Sequence, residues 1–297
     1  MPLIPMRDLL AAALAEKYAV GYFEAWDQYS LEAVLEAAEA SRSPVILGFG
    51  GALMNQRWYD SGGLRRLAVL GRATAESARV PVSLLLNEAA TFEQITRGLT
   101  WGFNAVMLQT SELPFEENVI TTRRVCAAAH AMSADVEGEC SRLPDASRAM
   151  GDPDACTLTD PDQAARYVAE TGVDALSISI GNVHLLTDGE AQIRLDHLAR
   201  LHQAVKVPFV VHGGTGFPDS AVARVIELGV AKFNVGTIMK RLYLEGIRDA
   251  LIALPDEPNI QDAVGSRNAG DILQRGKERV KAEVMRRMAV YGAAGKA

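Results

Sequence analysis

The run Pro208-Phe-Val-Val-His212-Gly-Gly-Thr-Gly216 sets the reading of this chain. Phe209 to Val211 is β-branched and aromatic with no polar face, as expected of a strand buried on both sides in a parallel sheet. A histidine stands at the strand's end, a glycine-rich turn follows, and a helical pattern begins near Asp219. A polar side chain at the carboxyl end of a parallel strand, followed by backbone amides free to hold an anion, makes an active-site edge in an α/β protein. A second stretch, Ala175-Leu-Ser-Ile-Ser-Ile-Gly181-Asn-Val-His184, ends in the same way. His130, His197 and His202 fall inside helical patterns, where an ordinary surface or half-buried role is expected.

Outward from these two strands the same alternation fills the chain. Strands are expected at 18–23, 44–48, 80–86, 105–108, 134–139, 175–181, 208–212 and 231–237. Helices are expected at 7–16, 31–41 (capped by Ser30), 64–78, 92–101, 115–132, 161–172, 195–205, 219–229 and 238–253. Residues 50–63 read as a long loop, and 140–158 as a longer one, rich in Asp, Ser, Gly and Pro, of a length that usually serves function. Eight strand–helix units close a (β/α)₈ barrel. The expectation is one TIM-barrel domain over 1–297, with a helical extension from about 256 to 297. An open doubly wound sheet would call for a Gly-x-Gly-x-x-Gly turn after the first strand, and none is there.

Composition narrows the function classes. The net charge is −7 and no basic run occurs, which argues against nucleic acid as a partner. No apolar run reaches membrane-spanning length, and the N-terminus lacks the pattern of a signal peptide. Cys126, Cys140 and Cys156 show no paired spacing, which fits a reducing cytoplasm.

Barrel enzymes carry their chemistry at the carboxyl ends of the strands. The polar residues expected there are Glu24, Asn87, Glu88, Gln109, Glu139, His184, His212 and Asn234. Glu137 and Glu139 alternate onto the same face of strand five, the inward one for a barrel. Two histidines and a carboxylate from separate strands can hold a divalent metal with open positions, and such a metal polarises a carbonyl and stabilises an enediolate. Gly213, Gly214 and Thr215 after strand seven, and Asn234 to Thr237 at strand eight, occupy the usual anion-binding position of the fold. Gly181, which closes strand six on the approach to His184, is expected with them as a substrate- or phosphate-binding position.

Several runs together resemble the class II, metal-dependent fructose-bisphosphate and tagatose-bisphosphate aldolases. They are Lys17 to Phe23, Ser43 to Gly48, Pro114 to Val119, Val183-His184, His212 to Gly216, Lys232 to Thr237 and the closing Tyr291 to Ala297. The resemblance implies a (β/α)₈ barrel, a homodimer or homotetramer, a zinc-type metal on three histidines, and reversible cleavage of a ketose phosphate. It also marks departures. Where the family has His-Leu-Asp-His-Gly after strand three, this chain has Leu85-Leu-Asn87-Glu88-Ala89. The family's catalytic aspartate falls on Asn87, which can donate a hydrogen bond but not a proton. Its first metal histidine falls on Glu88, so the implied ligand set is Glu88, His184 and His212. That set suits zinc first, with manganese, iron or cobalt also admitted. Glu139 is then a catalytic-site residue that backs the ligands or serves as an alternate ligand, and Asp145, Asp152 or Asp154 of the long loop are candidate proton carriers. A family asparagine falls on Glu24, an Asn/Asp on Gly236, and a phosphate-site glycine and lysine on Leu185 and Asp188. The implied function is metal-dependent aldol cleavage of a ketose or ketose phosphate. The alternatives are another enediolate reaction, isomerisation or decarboxylation, and a non-catalytic homologue serving as a binding subunit.

Overall fold

Eight parallel strands pair in chain order and close on themselves, β1 against β8. They are β1 Val20–Phe23, β2 Val45–Gly50, β3 Val82–Ala89, β4 Ala105–Leu108, β5 Asp135–Glu139, β6 Ala175–Ser177, β7 Phe209–Val211 and β8 Val230–Val235. The computed structural model describes residues 3–52, 54–143, 158–183, 186 and 189–297. The helices around the barrel are α1 Met6–Glu16, α2 Gln28–Ser41, α3 Gln56–Trp58, α4 Leu64–Ser77, α5 Phe92–Trp101 and α6 Phe115–His130. They continue with α7 Pro161–Thr171, α8 Leu195–Ala204, α9 Asp219–Glu227, α10 Thr237–Ile252, α11 Ile260–Ala263 and α12 Ile272–Val290. The expected (β/α)₈ barrel with added C-terminal helices is therefore the fold. Among the described residues no helix is long and apolar enough to cross a membrane.

The differences from expectation are local. Helix α2 begins at Gln28, not 31: the Asp27 side chain accepts from the Ser30 amide and Ser30 Oγ accepts from the Asp27 amide, a reciprocal capping box. Part of the 50–63 loop is helical, with α3 and a π-type turn at Tyr59–Gly63 leading into α4. Strand β3 runs on to Ala89, so Asn87 and Glu88 lie within it. The loop aspartates Asp145, Asp152 and Asp154, and Cys156, lie outside the described residues.

The barrel interior is divided along its axis. Its amino-terminal end is apolar: Val20, Ile46, Leu85, Ala105, Ala175 and Val210 pack together with Met6, Leu9, Leu10 and Ala13 of α1, which plugs that end. Arg7 fastens the plug, with its backbone N and guanidinium on the two oxygens of buried Asp135 at 2.8 and 2.9 Å. The outer faces of the strands pack on the helices through a larger apolar shell. Asp135 apart, the charged side chains that β5 and β8 turn inward, Glu137, Glu139 and Lys232, lie nearer the carboxyl end, where loops, not helices, meet the interior. Helix α12 returns from the C-terminal extension to pack on α2 and α10. Its Lys277 is buried among Glu32 and Glu36 of α2.

Candidate active site

His212 follows β7 and is buried. Its Nε2 lies 2.6 Å from Glu137 Oε1, and Lys232 Nζ approaches Glu137 Oε2 at 2.5 Å. Both members of that ion pair are wholly buried. A buried pair persists only when its remaining protons and lone pairs are satisfied. Lys232 also donates to Asn234 Oδ1 at 2.5 Å and stands 5.1 Å from the centre of the Tyr22 ring. Burial pushes the Glu137 carboxyl up, but the Lys232 ammonium and the His212 contact outweigh it and hold the group below its usual range. Glu137 is therefore an anion, and His212 Nε2–H donates to it.

That hydrogen bond fixes the imidazole. With Nε2 committed to Glu137, Nδ1 is the nitrogen left for other chemistry. It stands 3.5 Å from Glu88 Oε1. Burial disfavours a charged His212, yet the bonds to Glu137 and Glu88 prevail and lift it to about 10. Asn182 braces the same residue from behind: its Nδ2 donates to the His212 carbonyl at 2.9 Å, and its Oδ1 accepts from Ile180 N.

Glu88 reaches this position through a backbone irregularity. Strict alternation would send Asn87 and Glu88 to opposite faces of β3. The β3–β4 register instead slips between Leu86 and Ala89, and Glu88 has a φ of +49°. Such a bulge re-aims side chains at a barrel rim, and both residues line the central cavity. Asn87 Nδ2 then donates to Glu88 Oε2 at 3.1 Å.

The cavity measures about 220 Å³. Glu24 and Tyr22 of the β1 end, Asn87, Glu88, His212, Gly213, Thr215, the run Asn234 to Thr237, and Lys240 of α10 line it. Of the residues expected from sequence, Asn87, Glu88, His212, Gly213, Thr215, Asn234 and Thr237 thus meet at one place. Three others do not line it. Gly214 lies behind the turn, where Arg287 of α12 donates to its carbonyl. Gly181, with φ of +102°, serves the chain path: a Cβ there would come 2.0 Å from the Gln192 carbonyl oxygen. Glu139 is buried near Glu88, Glu137 and His212; burial lifts its carboxyl to about 7, with the His212 charge opposing and the other carboxylates reinforcing. His184, Leu185 and Asp188 lie outside the described residues.

The residues present fit a divalent cation, whose binding would displace the Nδ1 proton that His212 shares with Glu88. Two ligands of one tetrahedral ion, each roughly 2.0–2.2 Å from it, stand about 3.3–3.5 Å apart. Glu88 Oε1 and His212 Nδ1 have that separation, 3.5 Å. Among the described residues no group of three His, Cys, Asp or Glu side chains gathers as a metal site.

Glu24, expected among the polar strand-end residues, does line the cavity, whereas Lys232, Lys240 and Arg287 were not anticipated. For Lys232 a signal exists: it stands two residues before Asn234 on an otherwise apolar strand, and period two puts both on the inner face. Nothing in the local sequence marks Lys240 or Arg287, which join the site through helix packing.

Comparison with known proteins identifies the family. The profile of the family described as "Fructose-bisphosphate aldolase class-II" matches residues 4–296. The fructose-bisphosphate aldolase of Geobacillus stearothermophilus is 32% identical over 300 residues, covering 100% of this chain and 99% of the relative. The 6-phospho-5-dehydro-2-deoxy-D-gluconate aldolase of Shouchella clausii is also 32% identical, covering 100% and 97%. Among solved structures, the YdjI aldolase of Escherichia coli K12 superposes with a TM-score of 0.83 at 28% identity, with all of both chains covered. The chain belongs to the class II fructose-bisphosphate aldolase family.

Proposed function

We propose that Glu88, His212 and His184 hold a divalent metal, zinc by preference, and that the protein uses it in reversible C–C cleavage of a ketose or ketose phosphate. The observation that carries this reading is the pairing of Glu88 Oε1 with His212 Nδ1 at 3.5 Å while Glu137 holds the opposite ring nitrogen. His184 enters through the family resemblance alone. When bound, the metal would supply the positive charge that polarises the ketose carbonyl.

The chain's own residues divide the remaining work. Glu137, charged through Lys232, holds His212 in one tautomer and one orientation. Asn87, at the cavity wall, offers an amide donor to the aldehyde oxygen released on cleavage. Glu139, whose carboxyl titrates near neutrality, holds a proton within the same buried cluster, beside Glu88, Glu137 and His212. Gly213, Thr215, Asn234 and Thr237 seat one end of the substrate on the turn after β7 and the start of α10. We place the protein in the cytoplasm as one domain that assembles into a homodimer or homotetramer; its described cysteines, Cys126 and Cys140, are free, as a reducing compartment requires.

The test is a product assay. Metal-loaded protein incubated with a panel of ketoses and ketose phosphates should release two carbonyl fragments per turnover. Chelation should abolish the release and readdition of zinc, manganese or cobalt restore it. Conversion without fragmentation would favour an isomerase. Metal-independent ligand binding with no conversion would favour a binding subunit.

A further inference from the structure

The anion-binding end of the cavity carries its own carboxylate. Glu24, which follows β1, extends across the cavity wall to Lys240 on the first turn of α10, Oε1 to Nζ 2.5 Å. Its side chain fills space left by two glycines: a Cβ at Gly236 would come 3.0 Å from Glu24 Oε2, and one at Gly50 would come 3.1 Å from the same atom. Glu24 is thus built into the wall formed by β2 and the β8–α10 junction.

A phosphate dianion on the Gly213–Gly216 turn needs a free cation and free N–H donors. Among the described residues that line the cavity, Lys240 is the one lysine or arginine, and Glu24 already neutralises it. The Ile238 amide at the start of α10 donates to Thr215 Oγ1 at 3.2 Å. Among the described residues that line the cavity, the dianion would therefore face Glu24 without a spare positive charge. A hydroxylated, uncharged terminus meets different conditions. Glu24 accepts from hydroxyl groups and Lys240 donates to them. The Tyr22 hydroxyl, buried, at the cavity wall and without a hydrogen-bond partner among the described residues, offers one more site.

We infer that the substrate terminus lying on this turn is an uncharged polyol end rather than a phosphate, with Glu24 as its acceptor and Lys240 as the residue that positions Glu24. The inference rests on the aldolase reading for the identity of the substrate as a ketose. Its test is independent of turnover. Metal-free full-length protein is titrated with inorganic phosphate by calorimetry, comparing wild type, Glu24→Gln and Lys240→Met, each checked for an unchanged melting curve. Wild type should bind phosphate at least about tenfold more weakly than Glu24→Gln, a difference of about 1.4 kcal/mol. Lys240→Met should bind phosphate no better than wild type. In the metal-loaded enzyme, kcat/KM for a free ketose should exceed that for its 1-phosphate, and Glu24→Gln should reduce or invert the ratio about tenfold. Tight phosphate binding by wild type, unchanged in Glu24→Gln and lost in Lys240→Met, would overturn the inference by making Lys240 the phosphate cation. That result could coexist with ketose cleavage, which leaves the aldolase reading standing. Weak phosphate binding relieved by Glu24→Gln, with no ketose cleaved, would support a phosphate-excluding site and remove the aldolase reading.

Discussion

Glu88 Oε1 stands 3.5 Å from His212 Nδ1, although β3 and β7 lie on opposite sides of the barrel. Two features bring them together: the bulge that turns Glu88 inward, and the Glu137 contact that presents Nδ1. Glu88 is one of few non-glycine residues here with a positive φ, and that conformation costs a side-chain-bearing residue roughly 1 kcal/mol.

Glycine at position 88 should relieve this strain. Glu88→Gly is expected to be more stable than Glu88→Ala by roughly 1 kcal/mol, because alanine keeps the Cβ that disfavours the left-handed region. Urea unfolding of the two variants reads the difference. Equal midpoints would mean that the backbone at Glu88 is unstrained.

The Glu137–Lys232 pair should be costly to break from one side. Lys232→Met leaves a buried carboxylate with only His212 as a cationic partner, and a loss of roughly 3–5 kcal/mol is expected. Combining Lys232→Met with Glu137→Gln should recover part of it, since no buried charge is then orphaned. Denaturant unfolding of the single and double variants checks this. A Lys232→Met protein as stable as wild type would show that the ion pair contributes nothing.

Glu139 gives a pH-dependent signature. Its carboxyl titrates at about 7 in the folded chain, above the ordinary glutamate range, because burial disfavours the charge. A raised carboxyl pKa favours the folded state below the unfolded value, and that advantage is lost as pH climbs through the folded value. In metal-free protein, Glu139→Gln should match wild type near pH 4. It should become more stable between about pH 4.5 and 7, by up to about 3 kcal/mol, and keep a constant advantage above that. Unfolding curves across pH 4–8 measure it; a gap that does not change with pH would contradict the assignment.

Much of the frame was legible in the sequence because it rests on periodicity. Apolar strands alternating with helical patterns yield the barrel, and period two put Glu137 and Glu139 on one face of β5, where both side chains are buried. The strand-end histidine of β7 sits in the cavity for the same reason. The bulge at Asn87–Glu88 was not legible: a one-residue slip in register has no compositional mark, and it decides whether Glu88 faces solvent or the site. Helix α2 began earlier than expected because Asp27 and Ser30 are both good caps and only the fold selects between them. Lys240 and Arg287 reach the site from α10 and α12, so their roles depend on packing that sequence spacing does not encode.

Metal stoichiometry decides whether Glu88 and His212 hold a metal ion. Wild type, Glu88→Ala, Glu88→His and His212→Ala are stripped of column metal, reloaded with zinc at one pH, dialysed and assayed by elemental analysis. About one metal per chain is expected in wild type and in Glu88→His, where imidazole replaces carboxylate as ligand, and well under half of that in Glu88→Ala and His212→Ala. Undiminished metal in Glu88→Ala would show that Glu88 is not a ligand and would contradict the metal centre described here.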